Sequence, residues 1–144
     1  MGDGEMKISG CCFCGEIEYV AEIDENRVGI CHCRDCQIFS GSAFRTVGVA
    51  RRDKFSFTKG APRYFDKTAD TGRIRRMAFG STCGTHLASL PEDMTQEGAL
   101  VSVRVANSDA FGQLTPTGEV FCDSRVPLLK PIDGARQYPR MLDA

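Results

Sequence analysis

The sequence lacks an excess of charge of either sign. It has 18 basic and 19 acidic residues among 144, and its formal net charge at pH 7 is -1. A chain with this balance has no electrostatic attraction to nucleic acid or to an acidic membrane surface. We therefore expect neither nucleic acid nor a membrane among its partners, whereas the charge balance says nothing about oligomeric state.

Long apolar runs are also missing. No stretch approaches the roughly 18 apolar residues that a membrane-spanning helix requires, and residues 1–7 lack the apolar centre of a secretion signal. We therefore predict a cytoplasmic protein, in a compartment that keeps thiols reduced.

Helical periodicity is scarce, and internal repeats and low-complexity segments are absent. Short segments that alternate polar and apolar residues, separated by turn residues, predict strands. The predicted strands are residues 16–23, 43–50, 55–58, 63–68, 73–79, 100–105 and 119–122. Single helical turns are predicted at residues 34–39 and 108–111. The pattern indicates a mainly β, antiparallel fold with little helix, in one domain over residues 1–144 with an irregular tail from about residue 127.

Cysteine, in contrast, is abundant, with eight residues in the chain. Six of them form two tight groups: Cys11, Cys12 and Cys14, then Cys31, Cys33 and Cys36. Residues two apart on an extended segment point to the same side, so each group can bring sulfurs to one ion. Clustered thiols in a reducing compartment are metal ligands or catalytic groups more often than disulfides. Thiolate sets of this kind suit Zn²⁺.

Three functions are open at this point. A trio of thiolates at Cys31, Cys33 and Cys36 leaves one zinc position free for a substrate, as in a catalytic site. Alternatively, Cys83 is the fourth ligand of this trio and the closed site stabilises a non-enzymatic binding module. In the third interpretation, Cys33 and Cys36 are a redox pair.

The cysteine segments resemble one known family. They are Gly10-Cys-Cys-Phe-Cys-Gly with Tyr19, Cys31-His-Cys-Arg-Asp-Cys with Gly41, and Phe79 followed by Cys83-Gly-Thr-His. Together they resemble the glutathione-dependent formaldehyde-activating enzyme family, which includes the related centromere protein V type, over about residues 9–139.

The resemblance implies a β-tent fold of short strands with two zinc sites. It implies a structural site at Cys12, Cys14 and Cys83, and a catalytic site at Cys31, Cys33 and Cys36. The implied activity is that of a carbon–sulfur lyase acting on glutathione–aldehyde adducts such as S-(hydroxymethyl)glutathione, with Zn²⁺ as cofactor and glutathione or a thiol adduct as small-molecule partner.

One departure from the family pattern affects the structural site. The pattern has Cys-x-x-Cys-Gly where this chain has Gly80-Ser-Thr-Cys-Gly, so one sulfur is missing. Cys11, His86, Cys122 or a water are candidates for the missing ligand. We expect weaker metal binding here than at Cys31, Cys33 and Cys36.

Other residues near the cysteine segments have two interpretations each. Because His32 lies between two predicted ligands on an extended segment, we expect its side chain to point away from the metal. Phe39 and Phe44 line a pocket or belong to the core. A further set of side chains binds a substrate carboxylate or forms a solvated strand face: Arg34, Arg45, Arg73, Arg75 and Arg76.

Overall fold

The structure is a computed structural model that describes residues 4–141. Its strands are β1 Glu5–Cys11, β2 Glu18–Cys31, β3 Arg45–Lys59, β4 Arg63–Thr68, β5 Ile74–Phe79, β6 His86–Pro91, β7 Leu100–Val103, β8 Gly118–Val120 and β9 Arg136–Gln137. The α-helix α1 is Arg34–Ser40, and short 3-10 helices are Val105–Asn107, Phe111–Gln113 and Cys122–Ser124. The predicted mainly β fold with little helix is confirmed.

The nine strands of the described residues form one sheet. Its order is β4-β5-β6-β7-β3-β2-β8-β9, and β1 pairs with β2 on the same edge as β8. The pairs β2–β8 and β8–β9 are parallel, and the other pairs are antiparallel. The long strand β2 therefore joins the N-terminal strand β1 and the C-terminal strands β8 and β9 to the rest of the sheet.

The core lies on one face of this sheet. In β2, Tyr19, Ala21 and Ile23 are buried while the intervening Val20 is exposed, which is the period of a strand with one covered face. Full burial of a large apolar side chain contributes about 1.5–3 kcal/mol, so residues such as Ile23 and Leu87 stabilise the sheet without any metal.

Several predicted elements differ from the observed ones. The strands predicted at 43–50 and 55–58 are the single strand β3, which remains extended through Arg51 and Lys54. The helical turn predicted at 108–111 is wrong, because two 3-10 helices flank that segment instead. The strand predicted at 119–122 is β8, and Cys122 lies in the 3-10 helix that follows it.

The alternation pattern does not predict β1, β6 or β9. The chain after residue 127 is mostly irregular, but its short strand β9 extends the sheet beside β8. Residues 1–3 and 142–144 lie outside the described part of the chain. The predicted domain over residues 1–144 includes both segments, and the segment 1–7, which was judged for a secretion signal, includes the first. Among the described residues, none of the helices has the length and apolarity needed to cross a membrane.

Candidate metal centre

Cys31, Cys33 and Cys36 come together at the junction of β2 and α1. Their sulfur atoms all lie within 4.8 Å of one another. Cys31 is the last residue of β2 and is buried, Cys36 lies in the first turn of α1 and is buried, and Cys33 is partly exposed. We call this set the first cluster.

The helix start holds two of these sulfurs in place. Cys33 is the N-cap of α1, with extended backbone angles (φ -62, ψ 153), and its Sγ accepts a hydrogen bond from the backbone N–H of Cys36 at 3.2 Å. The helix ends at Gly41, whose left-handed backbone (φ 65) lets its N–H bond the carbonyls of Gln37 and Ile38. The sequence therefore encodes a short, capped turn that aims its N–H groups at sulfur.

A buried guanidinium lies against the first cluster. Arg45 on β3 is the cross-strand partner of Cys31, and its Nη2 donates to Cys36 Sγ at 3.0 Å. Its Nε and Nη1 are buried and have no hydrogen-bond partner. Of the arginines singled out in the sequence, Arg45 contacts a cysteine, whereas Arg75 bonds Ser89 and Arg76 bonds Asp66.

A second buried guanidinium comes from Arg104, which the sequence pattern did not single out. Burial lowers the pKa of Arg104 to about 9, and the charge of Arg45 contributes, although the nearby thiols Cys36 and Cys31 oppose the shift. Hydrogen bonds from Cys31 and Cys33, then the charges of Arg45 and Arg104, lower the pKa of Cys36. Hydrogen bonds to Cys33 and Cys36 raise the pKa of Cys31. Arg45 therefore lies against the thiol of the cluster whose pKa is lowered.

His32 points away from the first cluster, as expected. It is 1% exposed, and its Nε2 lies 2.7 Å from Oε1 of the buried Glu119 on β8. Glu119 also accepts from the backbone N–H of Ile132 and from Gln137 Nε2. Burial raises the pKa of Glu119, but these hydrogen bonds outweigh it and lower the pKa to about 2. Through Glu119, these hydrogen bonds link Ile132 and Gln137 of the C-terminal segment to His32, which lies between Cys31 and Cys33.

A cavity of about 500 Å³ lies beside Arg45. Its walls include the rings of Phe39 and Phe44, so these phenylalanines line a pocket rather than the core. Arg104 and His86 also line it. Burial lowers the pKa of His86, and the charges of Arg45 and Arg104 add to the shift. The cavity thus presents two cations and two aromatic rings, and Arg45 connects it to the sulfur of Cys36.

Cys12, Cys14 and Cys83 form a second cluster, also with all sulfur atoms within 4.8 Å. Cys12 is buried, and Cys14 and Cys83 are exposed. The turn after β1 supplies the first two, where Cys12 Sγ accepts from the N–H of Ile17 at 3.3 Å. The turn between β5 and β6 supplies Cys83, whose pKa is lowered to about 6, chiefly by a hydrogen bond with the Thr85 hydroxyl.

None of the three side chains named as candidates for the missing ligand of the second cluster lies in it. Cys11 lines a groove with Ser9 and Asp109, His86 packs against the ring of Phe39 at 5.3 Å, and Cys122 Sγ accepts from Arg125 Nη2. The alternative in which Cys83 completes the first cluster is wrong, because Cys83 belongs to the second.

Both clusters fit zinc by the chemistry of their donors. Sulfurs on one tetrahedral zinc lie about 3.8 Å apart, given Zn–S bonds of about 2.3 Å. Three thiols within 4.8 Å of one another need only a small adjustment to reach this spacing. In residues 4–141, no fourth cysteine, histidine or carboxylate ligand atom joins either cluster.

Comparisons with known proteins agree with this description. The structure of a Rhodobacter sphaeroides protein, determined by crystallography, superposes with a TM-score of 0.54 over 90% of this chain and 98% of that chain, at 18% sequence identity. This likeness concerns the fold. Comparison with curated proteins gives no match. The sequence model described as glutathione-dependent formaldehyde-activating enzyme matches residues 7–124, which include both cysteine clusters. The chain therefore belongs to the glutathione-dependent formaldehyde-activating enzyme family.

Proposed function

We propose that this chain is a zinc-dependent carbon–sulfur lyase of the cytoplasm that acts on glutathione–aldehyde adducts such as S-(hydroxymethyl)glutathione. Cys31, Cys33 and Cys36 hold the catalytic zinc, and Cys12, Cys14 and Cys83 hold a second ion. The observation that carries the proposal is the position of the first cluster, three thiols next to a cavity with buried cations.

The chemistry of this cavity supports the proposed substrate class. Zinc in the first cluster would keep a substrate thiol ionised, because metal coordination removes the thiol proton. Glutathione carries two carboxylates, and a guanidinium binds a carboxylate through two parallel hydrogen bonds. Arg45 and Arg104 are both buried and both line the cavity, so they are placed to bind such a group.

The side chains then position the reacting groups. Arg45 donates to Cys36 Sγ and offsets part of the negative charge of the sulfurs. Phe39 and Phe44 cover the cavity with apolar surface and exclude water from the thiol. In the synthetic direction, the thiolate sulfur adds to the aldehyde carbon, the C–S bond forms, and the carbonyl electron pair becomes an alkoxide that takes a proton. Cleavage is the reverse.

The open first cluster favours an enzyme over a binding module. A zinc site that only stabilises the fold is usually closed by four protein ligands. Within the described residues, the first cluster has three, and a cavity lies one side chain away. A redox role for Cys33 and Cys36 does not account for the third thiol of the cluster, Cys31, or for the cations in the cavity.

The test compares freshly reduced wild type with Cys36→Ser. We expect the variant to lose about one zinc per chain and the glutathione bound at the first cluster, measured by elemental analysis and isothermal titration calorimetry. Cys122→Ser is the matched control, because Cys122 lies outside both clusters, and it retains both properties. Unchanged zinc and glutathione binding in Cys36→Ser contradicts the assignment of the first cluster.

A further inference from the structure

The second cluster lacks one ligand because of a single position, Gly80. A Cβ built on Gly80 would lie 3.0 Å from Cys83 Sγ and 3.3 Å from Cys12 Cβ. Position 80 therefore faces the cluster directly. A side chain at position 80 would point at the sulfurs, but glycine has no side chain.

Backbone hydrogen bonds fix the turn around Gly80. Gly80 N–H donates to the carbonyl of Thr85 at 2.8 Å, and Gly84 N–H donates to the carbonyl of Gly80 at 3.0 Å. Gly84 takes the left-handed conformation (φ 77) that this tight return requires. The backbone thus holds Cys83 in place although the fourth sulfur is absent.

Solvent reaches the second cluster through two of its three thiols. Cys14 and Cys83 are exposed, and no other cysteine, histidine or carboxylate ligand atom of residues 4–141 joins the cluster. Zinc prefers four ligands, so three thiolates leave a place for an external donor. Soft thiolate sulfur is the donor that matches a site already built of sulfur.

We propose that the second cluster is an open zinc site whose fourth position binds an external small-molecule thiol. The incoming thiol loses its S–H proton to solvent, its sulfur takes the place of a water, and no electrons are transferred. Lys59 Nζ, which donates to the carbonyl of Gly15 at 3.1 Å, puts a positive charge beside this turn, and the exposed ring of Phe13 offers apolar contact. This site is separate from the lyase site of the proposed function.

The experiment counts thiol molecules bound per zinc-loaded chain by equilibrium dialysis with labelled glutathione, in a phosphine reductant. Wild type is compared with Gly80→Cys, which supplies the missing sulfur, and with Ser81→Ala, a control in the same turn that leaves the sulfurs as they are. We expect Gly80→Cys to bind one thiol fewer than wild type, and Ser81→Ala to match wild type. Gly80→Cys should also release zinc to a chelator at least about 100-fold more slowly, since even an outer-shell partner changes metal affinity by up to that factor.

Equal thiol counts in wild type and Gly80→Cys, with zinc fully loaded in both, overturn the inference. The proposed function is tested separately by the absolute count: if glutathione does not bind at the first cluster, wild type binds one thiol and Gly80→Cys binds none. If Gly80→Cys does not fold, Cys83→Ser replaces it, because loss of a ligand from the second cluster should also remove one bound thiol. Cys122→Ser is then the control, and a Cys83→Ser count equal to wild type overturns the inference.

Discussion

At the scale of single residues, buried charge surrounds the first cluster on two sides. Arg45 and Arg104 are 9% and 6% exposed, and a buried guanidinium is costly unless negative charge compensates it. Arg45 donates a hydrogen bond to the sulfur of Cys36 through Nη2, whereas its Nε and Nη1 have no hydrogen-bond partner. These two arginines are therefore suited to an anionic cluster and an anionic ligand in the cavity.

On the opposite side, His32 and Glu119 form a buried pair. Glu119 is 1% exposed and accepts hydrogen bonds from His32, Gln137 and the backbone of Ile132. Because a hydrogen-bonded carboxylate is deprotonated more readily, its pKa is about 2 instead of the ordinary 4.5. The folded state thus binds this proton less tightly than the unfolded state does.

Replacing Glu119 with glutamine should destabilise the protein by about 3 kcal/mol near neutral pH, the typical cost of breaking a buried pair. A group with a depressed folded-state pKa stabilises above its unfolded pKa. That contribution is lost as the pH falls from 4.5 to about 2. We therefore expect the difference in unfolding free energy between wild type and Glu119→Gln to shrink over this range, as measured by urea denaturation.

Glu22→Gln is the matched control for Glu119→Gln. Glu22 pairs with Lys54 at 3.2 Å on the surface, where an ion pair contributes less than about 1 kcal/mol. Because protonated thiols do not bind metal, any zinc would leave all three proteins alike in acid, so the differences between proteins isolate the carboxylates. A Glu119→Gln difference that stays constant between neutral pH and strong acid would contradict the assigned pKa.

At the scale of secondary structure, alternation predicted the strands that have one covered face. The hairpin of β4 and β5 is correct to within one residue at each end, because a turn composition separates two alternating segments. The run Arg51-Arg52-Asp53-Lys54 looks like a loop, but it continues β3. Arg51 pairs with Leu100 of β7, and β3 pairs with β2 on either side of the run, at Ala50 and Phe55. Strand β6 is buried almost throughout and has no alternation to detect.

The candidate site, like the fold, was predictable from the sequence only in part. The spacing of Cys31, Cys33 and Cys36 was sufficient to predict that their sulfurs meet, since the whole set lies within one strand end and one helical turn. The roles of Arg104 and Glu119 were not predictable, because nothing in a single strand indicates that its charged residue faces a buried cluster. Cross-strand pairing, such as that of Cys31 with Arg45, decides this.

The end of α1 gives a prediction at the scale of one element. Gly41 has φ 65, and a Cβ at this position meets nothing within 4 Å, so only backbone strain opposes a side chain. Gly41→Ala should lower the unfolding free energy by about 1–2 kcal/mol, the cost of a left-handed conformation for an L-residue. Thermal or urea denaturation measures this loss of unfolding free energy.

Two comparisons isolate this backbone effect. Gly41→Asn should cost less than Gly41→Ala, because asparagine tolerates the left-handed region. Gly112→Ala should be close to neutral, since Gly112 also has open space around its Cβ position but no positive φ. Equal losses in Gly41→Ala and Gly112→Ala would show that the conformation of Gly41 is not what matters.

At the scale of the whole molecule, the two clusters differ in how far apart in sequence their cysteines lie. The first cluster is local, because its three cysteines lie within residues 31–36. The second cluster joins the turn after β1 to the turn between β5 and β6, which are far apart in sequence. A metal link between distant segments removes freedom from the unfolded chain, so the second cluster should matter more for stability than its exposure suggests.

Cys83→Ser tests whether this link depends on metal. With free zinc about 100-fold above the dissociation constant of the second cluster, binding to the folded state alone adds about 2.7 kcal/mol. We expect the loss of unfolding free energy in Cys83→Ser, relative to wild type, to be about 2.7 kcal/mol larger in zinc than in metal-free protein. In metal-free, phosphine-reduced protein Cys83→Ser should lose only the hydrogen bond between Cys83 and Thr85, about 1 kcal/mol. Ser81→Ala, in the same turn, controls for local packing and should show no zinc dependence. If Cys83→Ser loses the same free energy with and without zinc, the second cluster is a packing contact and metal does not cross-link the two turns.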